Sequence, residues 1–157
     1  MITKEQYFTH PRTGQVKPHP IEHEENFIIW RDREEALVNE AIDAGAFTRA
    51  IDPDTGCELS GARGGDGDGG YRARDSATGK PGGPHYDGRA GDRYDPGSRL
   101  NNWLDTFEDG HGGNRMLEKH GLYREHPDYT KGSSPDKSWC HTQIKPVPSG
   151  KRTFRPW

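Results

Sequence analysis

The run His85-Tyr-Asp-Gly88-Arg-Ala90-Gly-Asp92, answered far downstream by Trp139-Cys-His141, ties two distant parts of the chain together. Two imidazoles and one carboxylate are the ligand set of a zinc site that leaves its fourth position to a water. A fold open to this chain must bring the segment near residue 90 against the segment near residue 140. The spacing predicts how. His85 ends a loop, Gly88 permits a tight turn, and Asp92 lies on the strand that follows, Gly88 to Tyr94, with Ala90 keeping the neighbouring backbone close. A second strand, Ser138 to Ile144, alternates so that Trp139, His141 and Gln143 share one face. Cys140 then points the other way, into packing.

The rest of the chain offers little apolar material to build on. Hydrophobic residues make up 28% of the 157, against 21 glycines and 12 prolines, so much of the chain must be loop. That balance approaches the disordered range, and a metal tying distant segments together helps such a chain to fold. The length fits one domain, 1–157, with a single core. Residues 1–23 show no sustained period and read as an extended N-terminal arm. From Glu24 to Ala44 apolar residues recur at helical spacing, ending at Gly45. Cys57 to Arg63 reads as a strand after the turn at Asp52-Pro-Asp-Thr-Gly56. Ser98 is the expected N-cap of a helix from Arg99 to Phe107, and Asn114 to His120 a second helix stopped by Gly121. The period switches without regular alternation, which indicates an α+β fold: a small antiparallel sheet carrying the metal site, flanked by helices, with long Gly-rich loops.

Residues 64–83 form a Gly/Asp-rich loop, expected to be a flexible flap beside the metal site. Asp66 and Asp68 are spaced as calcium ligands, but the later acidic ligand of known calcium loops is absent. The net charge of −3 gives no electrostatic case for nucleic acid. Positive charge gathers late, in Lys145, Lys151, Arg152 and Arg155, and reads as a solvated tail. No stretch is apolar enough to span a membrane, and Met1-Ile-Thr-Lys-Glu-Gln lacks the apolar core of a secretory signal. The expectation is a product made in the cytoplasm that reaches any external target by release or delivery. Cys57 and Cys140 are expected to be free thiols. His10, His19, His23, His111, His120 and His126 lack partners in sequence and read as surface or packing residues. Asp87 and Asp95 read as solvated or outer groups.

His-x-x-Gly-x-Ala-x-Asp followed by Trp-x-His resembles the zinc peptidases that include D-alanyl-D-alanine dipeptidases and carboxypeptidases, phage endolysins and the hedgehog-like metallopeptidase fold. Ser60-Gly-Ala-Arg63 is similar to the family's Ser-Gly-x-Arg strand. The resemblance implies that His85, Asp92 and His141 hold Zn2+ and that Arg63 stabilises the oxyanion. The opening Ile2-Thr-Lys-Glu-Gln-Tyr7-Phe8 and the closing Ser149-Gly-Lys-Arg-Thr-Phe154 resemble phage-encoded members. The implied substrate is the peptidoglycan stem peptide, and the implied surroundings include components of a phage particle.

The chain departs from the family at the general base. Many relatives place Glu or Asp three residues before the last histidine, where this chain has Ser138. A serine cannot take a proton from a polarised water at neutral pH without help. Glu125, closing Leu122-Tyr-Arg-Glu125, is the first candidate to replace it, with Asp128 and Asp136 as alternatives. Two functions follow: a zinc-dependent peptidoglycan peptidase of endolysin type, or a non-catalytic phage structural or binding protein that keeps the zinc-peptidase fold.

Overall fold

The computed structural model describes residues 1–62, 69–72 and 83–156. Arg63, Asp66, Asp68 and most of the 64–83 loop lie outside the described residues. Among the described residues the chain is a mixed α+β fold with one small sheet. In chain order its elements are α1 (Lys4–Phe8), α2 (Ile21–Asp43), β1 (Ala90–Tyr94), α3 (Arg99–Asp105), α4 (Arg115–Lys119), β2 (Tyr123–Glu125), β3 (Trp139–Gln143) and β4 (Thr153–Phe154). No helix of the described residues is long and apolar enough to cross a membrane.

The arm is not simply extended. Thr3 and Gln6 form a reciprocal capping box, with bonds of 3.0 and 3.1 Å, that starts α1. Ile2, Tyr7 and Phe8 are thereby turned into the core. One helical turn is too short to show a period, so its signal is the cap alone. The long helix α2 starts just after Pro20, slightly ahead of the expected start, and Gly45 closes it with φ +70°. Phe27, Trp30, Leu37, Val38 and Ala41 form its buried stripe.

The sheet order is β1-β3-β2-β4. β1 pairs antiparallel with β3, and β2 antiparallel with β3, as expected, but β4 lies parallel to β2. The reason is topological. Both edges of β3 are occupied, so the chain leaving β3 reverses and takes the free edge of β2, where its direction can only match that strand. The basic tail is thus tied into the fold: Arg152 covers the Tyr123 ring at 4.4 Å and donates to Leu122 O.

Among the described residues, the strand expected over Cys57–Arg63 shrinks to two isolated bridges, Cys57 to Asp52 and Leu59 to Arg93. Tyr94 N donates to Glu58 O and Ser60 N to Asp92 O, both at 2.8 Å. The next ladder bond is taken by the Gly69 peptide, which accepts from Asp92 N (2.8 Å) and donates to Ser60 O (2.6 Å). Pairing stops at that insertion.

Ser98 makes no side-chain cap and has φ 55°. The short turn Pro96–Ser98 instead presents Asp95, whose carboxylate accepts from Leu100 N (2.8 Å) and Asn101 N (3.0 Å). Two carboxylate oxygens satisfy two orphan donors where a hydroxyl would serve one. The helix stops at Asp105, short of Phe107. Asn114 caps α4 through Met116 N and Leu117 N.

Beneath the sheet, Trp30 of α2 packs onto β1 and donates from Nε1 to Thr142 Oγ1 at 3.0 Å. A Cβ on Gly91 would lie 2.2 Å from the indole, so only glycine permits this approach. Beside it Arg93 is fully buried among carboxylates, bonded to Glu34 of α2, to Glu58 at 2.6 Å and to Glu35 at 3.4 Å.

Candidate metal centre

Asp92 on β1 is the register partner of His141 on β3, so the two side chains emerge side by side on one face. Asp92 Oδ1 lies 2.8 Å from His141 Nδ1. His85 comes from the loop before β1, where Gly88 takes φ +83° and Arg89 N donates back to Pro84 O. That loop brings His85 Nε2 to 3.3 Å from Asp92 Oδ1 and 3.2 Å from His141 Nδ1. One donor atom from each residue lies within 4.8 Å of the others, and all three residues are buried. The sequence-predicted ligands are therefore brought together as a group that could hold a metal ion.

The atoms behind the group decide which lone pairs face inward. His85 Nδ1 is 2.9 Å from Gly70 O, which can only accept, so this nitrogen carries the hydrogen and Nε2 is left with a lone pair. Gln143 Nε2 donates to Lys145 O at 2.8 Å, which turns Oε1 toward His141 Nε2, also at 2.8 Å. His141 thus donates from Nε2 and, in its neutral form, presents the Nδ1 lone pair. Asp92 Oδ2 receives Arg72 at 3.4 Å, leaving Oδ1 toward the two rings. Two imidazole lone pairs and a carboxylate oxygen facing one another repel unless a cation or a proton lies between them.

Titration follows the same geometry. Burial lowers His85 to about 4, Asp92 opposing and Arg72 reinforcing the shift. Burial acts to raise Asp92, but His85 and His141 outweigh it and hold the carboxylate well below its usual range. Burial pulls His141 down, yet Asp92 and more distantly Glu125 bring it above its ordinary value.

The trio floors an open groove of about 390 Å³ whose walls include Arg72, Tyr86, Glu125, Trp139, Lys145 and Phe154. Of the three base candidates, Glu125 borders this groove, at the end of β2 beside β3. Asp128 is half-exposed and engaged by His126, Lys131 and Arg155. Asp136 accepts from Ser134, and its carbonyl takes the Tyr94 hydroxyl. Neither borders the groove. Ser138 is buried, its hydroxyl bonded to Asp95 O and accepting from Ser98 N, so it joins the loops before α3 and β3. Asp87 pairs with Arg89, and Asp95 caps a helix.

Sequence reasoning missed four contributors. Gln143 was legible by face, two residues beyond His141, but not by role. Arg72 and the Gly70 carbonyl lie in a Gly-rich segment without period, and no local signal points to them. Lys145 was read as part of a solvated tail and instead borders the groove. Cys57 and Cys140 are free and buried, and Cys140 faces the core with its thiol pushed up by burial. No family model, curated protein or solved structure matches the chain.

Proposed function

We propose that this protein is a zinc-dependent peptidoglycan peptidase that hydrolyses an amide bond beside an alanine of the stem peptide, as a phage endolysin does. The carrying observation is the convergence of His85 Nε2, His141 Nδ1 and Asp92 Oδ1 beneath an open groove, each side chain's other polar atom being already engaged. Imidazole and carboxylate donors in this ratio fit zinc. When bound there, zinc would supply Lewis acidity that brings the pKa of a water to about 7.

The chain's own groups divide the remaining work. Glu125 is the carboxylate positioned on the groove to accept a proton from water and return it to the leaving amine. Arg72 borders the groove beside Asp92, a cation placed near the oxygen on which charge would develop. Arg63 has the same role by family resemblance. The apolar walls, Trp139 and Phe154 among them, exclude water from the peptide on either side.

The test is zinc-dependent release of new amino groups from purified peptidoglycan fragments. Glu125→Gln is expected to cut the rate by about 10²–10⁴-fold while zinc binding is retained. A second reading, a non-catalytic phage component, is favoured by Ser138 in the place of the family's acid. Stoichiometric zinc without turnover in the native chain supports that reading instead.

A further inference from the structure

Residues Gly69–Arg72 form a strap across the back of the metal centre, and every residue of it but one makes a direct bond there. The Gly69 peptide brackets Asp92 N, Gly70 O accepts from His85 Nδ1, and Arg72 bonds twice, from its backbone N to His85 O (3.1 Å) and from its guanidinium to Asp92. The remaining residue, Tyr71, faces away and is held by the N-terminal arm. Tyr71 N donates to Tyr7 O at 3.0 Å, and Tyr71 O accepts from the ammonium of Lys17 at 2.7 Å. That ammonium also reaches Tyr7 O at 3.5 Å, and Lys17 is 5% exposed.

A lysine is rarely buried so deeply, because its charge leaves water at a cost of several kcal/mol and must be met by polar partners. Here those partners include the backbone carbonyls of the arm and of the strap. Tyr7 carries the connection further, since its hydroxyl donates to Ala90 O at the head of β1 at 2.6 Å. Arm, strap and strand are thus pinned to one another around a single buried cation, and what the strap presents on its other side is the outer shell of the metal ligands.

We propose that Lys17 is a positioning residue for the metal centre: by clamping Tyr71 O it sets the strap that orients His85 and Asp92. The proposal rests on the reading of the trio as a metal site. It assigns a role to the N-terminal arm that the resemblance does not imply.

The test compares zinc affinity, by chelator competition, with the thermal midpoint of the metal-free protein. Lys17→Met keeps an unbranched side chain, one atom shorter, and removes the donor. Outer contacts of ligands are worth about 10–100-fold in metal affinity, and the lysine acts one bond further out. A loss near tenfold is expected, with a changed visible spectrum of the cobalt-substituted protein and a partial rescue in Lys17→Gln, whose amide NH₂ can still donate. Leu117→Ala, in the core, should lower the midpoint and leave affinity unchanged. Gly69→Ala displaces the strap from its other end, because the added Cβ would meet Asp92 O at 2.2 Å, and should reproduce the affinity loss even if Lys17→Met does not fold. Native affinity and spectrum in Lys17→Met, or in Gly69→Ala where Lys17→Met does not fold, overturn the proposal. Absence of metal binding by the native chain overturns the metal-site reading itself.

Discussion

Replacing Gln143 by leucine tests whether the outer contacts choose the ligand atoms. In the native site Gln143 Oε1 holds the hydrogen of His141 on Nε2, because the amide nitrogen is committed to Lys145 O. Leucine fills similar space and accepts nothing. Nε2–H is then a buried donor without a partner, costing about 1–3 kcal/mol. The ring escapes that cost by moving its hydrogen to Nδ1, where Asp92 Oδ1 waits at 2.8 Å. The metal-free protein is relieved, and the ion must now displace that hydrogen, so the cost reappears on binding. At 1.4 kcal/mol per decade this is a loss of about 10–100-fold in affinity, in line with outer-contact substitutions generally. Chelator competition reads the loss directly. The thermal midpoint of the metal-free variant should fall little, whereas that of the zinc-loaded protein should drop clearly. Unchanged zinc affinity in Gln143→Leu would refute the inference that His141 Nδ1 is the ligating atom.

Acid should loosen the metal-free protein. His85 is lowered to about 4 when folded from 6.5, so between those pH values the unfolded chain binds more protons and stability falls as pH falls. Asp92, also lowered, acts in the same direction further down, whereas raised His141 opposes it, adding stability below 6.5 that is lost as pH rises through its folded pKa. The change in stability between pH 7 and pH 4, read by urea titration of the metal-free protein, should be smaller in His85→Gln than in the native chain by roughly 3 kcal/mol, and an equal change in both would contradict the burial of His85 as a neutral ring. Away from the site, Glu34→Ala leaves Arg93 buried without its main partner and should cost about 3–5 kcal/mol in the same assay, with zinc affinity little altered. A loss below 1 kcal/mol would show that Glu58 and Glu35 suffice.

The candidate ligands were legible because ligand chemistry restricts both residue type and order: Asp92 and His141 stand in strands whose alternation can be read locally, and His85 in the turn just before the first of them. Helix α2 was legible from its apolar stripe. What could not be read has a common cause, namely contacts made between segments far apart in sequence. Asp95 caps α3 in place of Ser98 because a short turn folds it back, and β4 is parallel because the β3 edges are taken. Glu34 stands on the buried stripe of α2, but its partner Arg93 lies in another element, so nothing local to either residue marks the pair. Arg72 and Gly70 reach the site through tertiary placement of a segment with no pattern of its own.

These failures meet in one strand. β1, Ala-Gly-Asp-Arg-Tyr, is buried along its whole length, yet it carries adjacent opposite charges. Alternation sends Asp92 to the metal face and Arg93 to the carboxylates beneath. A strand of that composition gains little from apolar transfer and is stable inside only if each charge is met. Arg93 is met permanently by Glu34 and Glu58. Asp92 is met by Arg72 at 3.4 Å and by two rings that compete for the same oxygen, an arrangement a cation would complete. The partition predicts where stability resides. Chelation should loosen the His85 loop and the groove face, while the Arg93 face keeps β1 seated on α2. On this reading a chain with so few apolar residues should release a bound ion without unfolding, because ion pairs on the opposite face of the same strand hold the sheet in place.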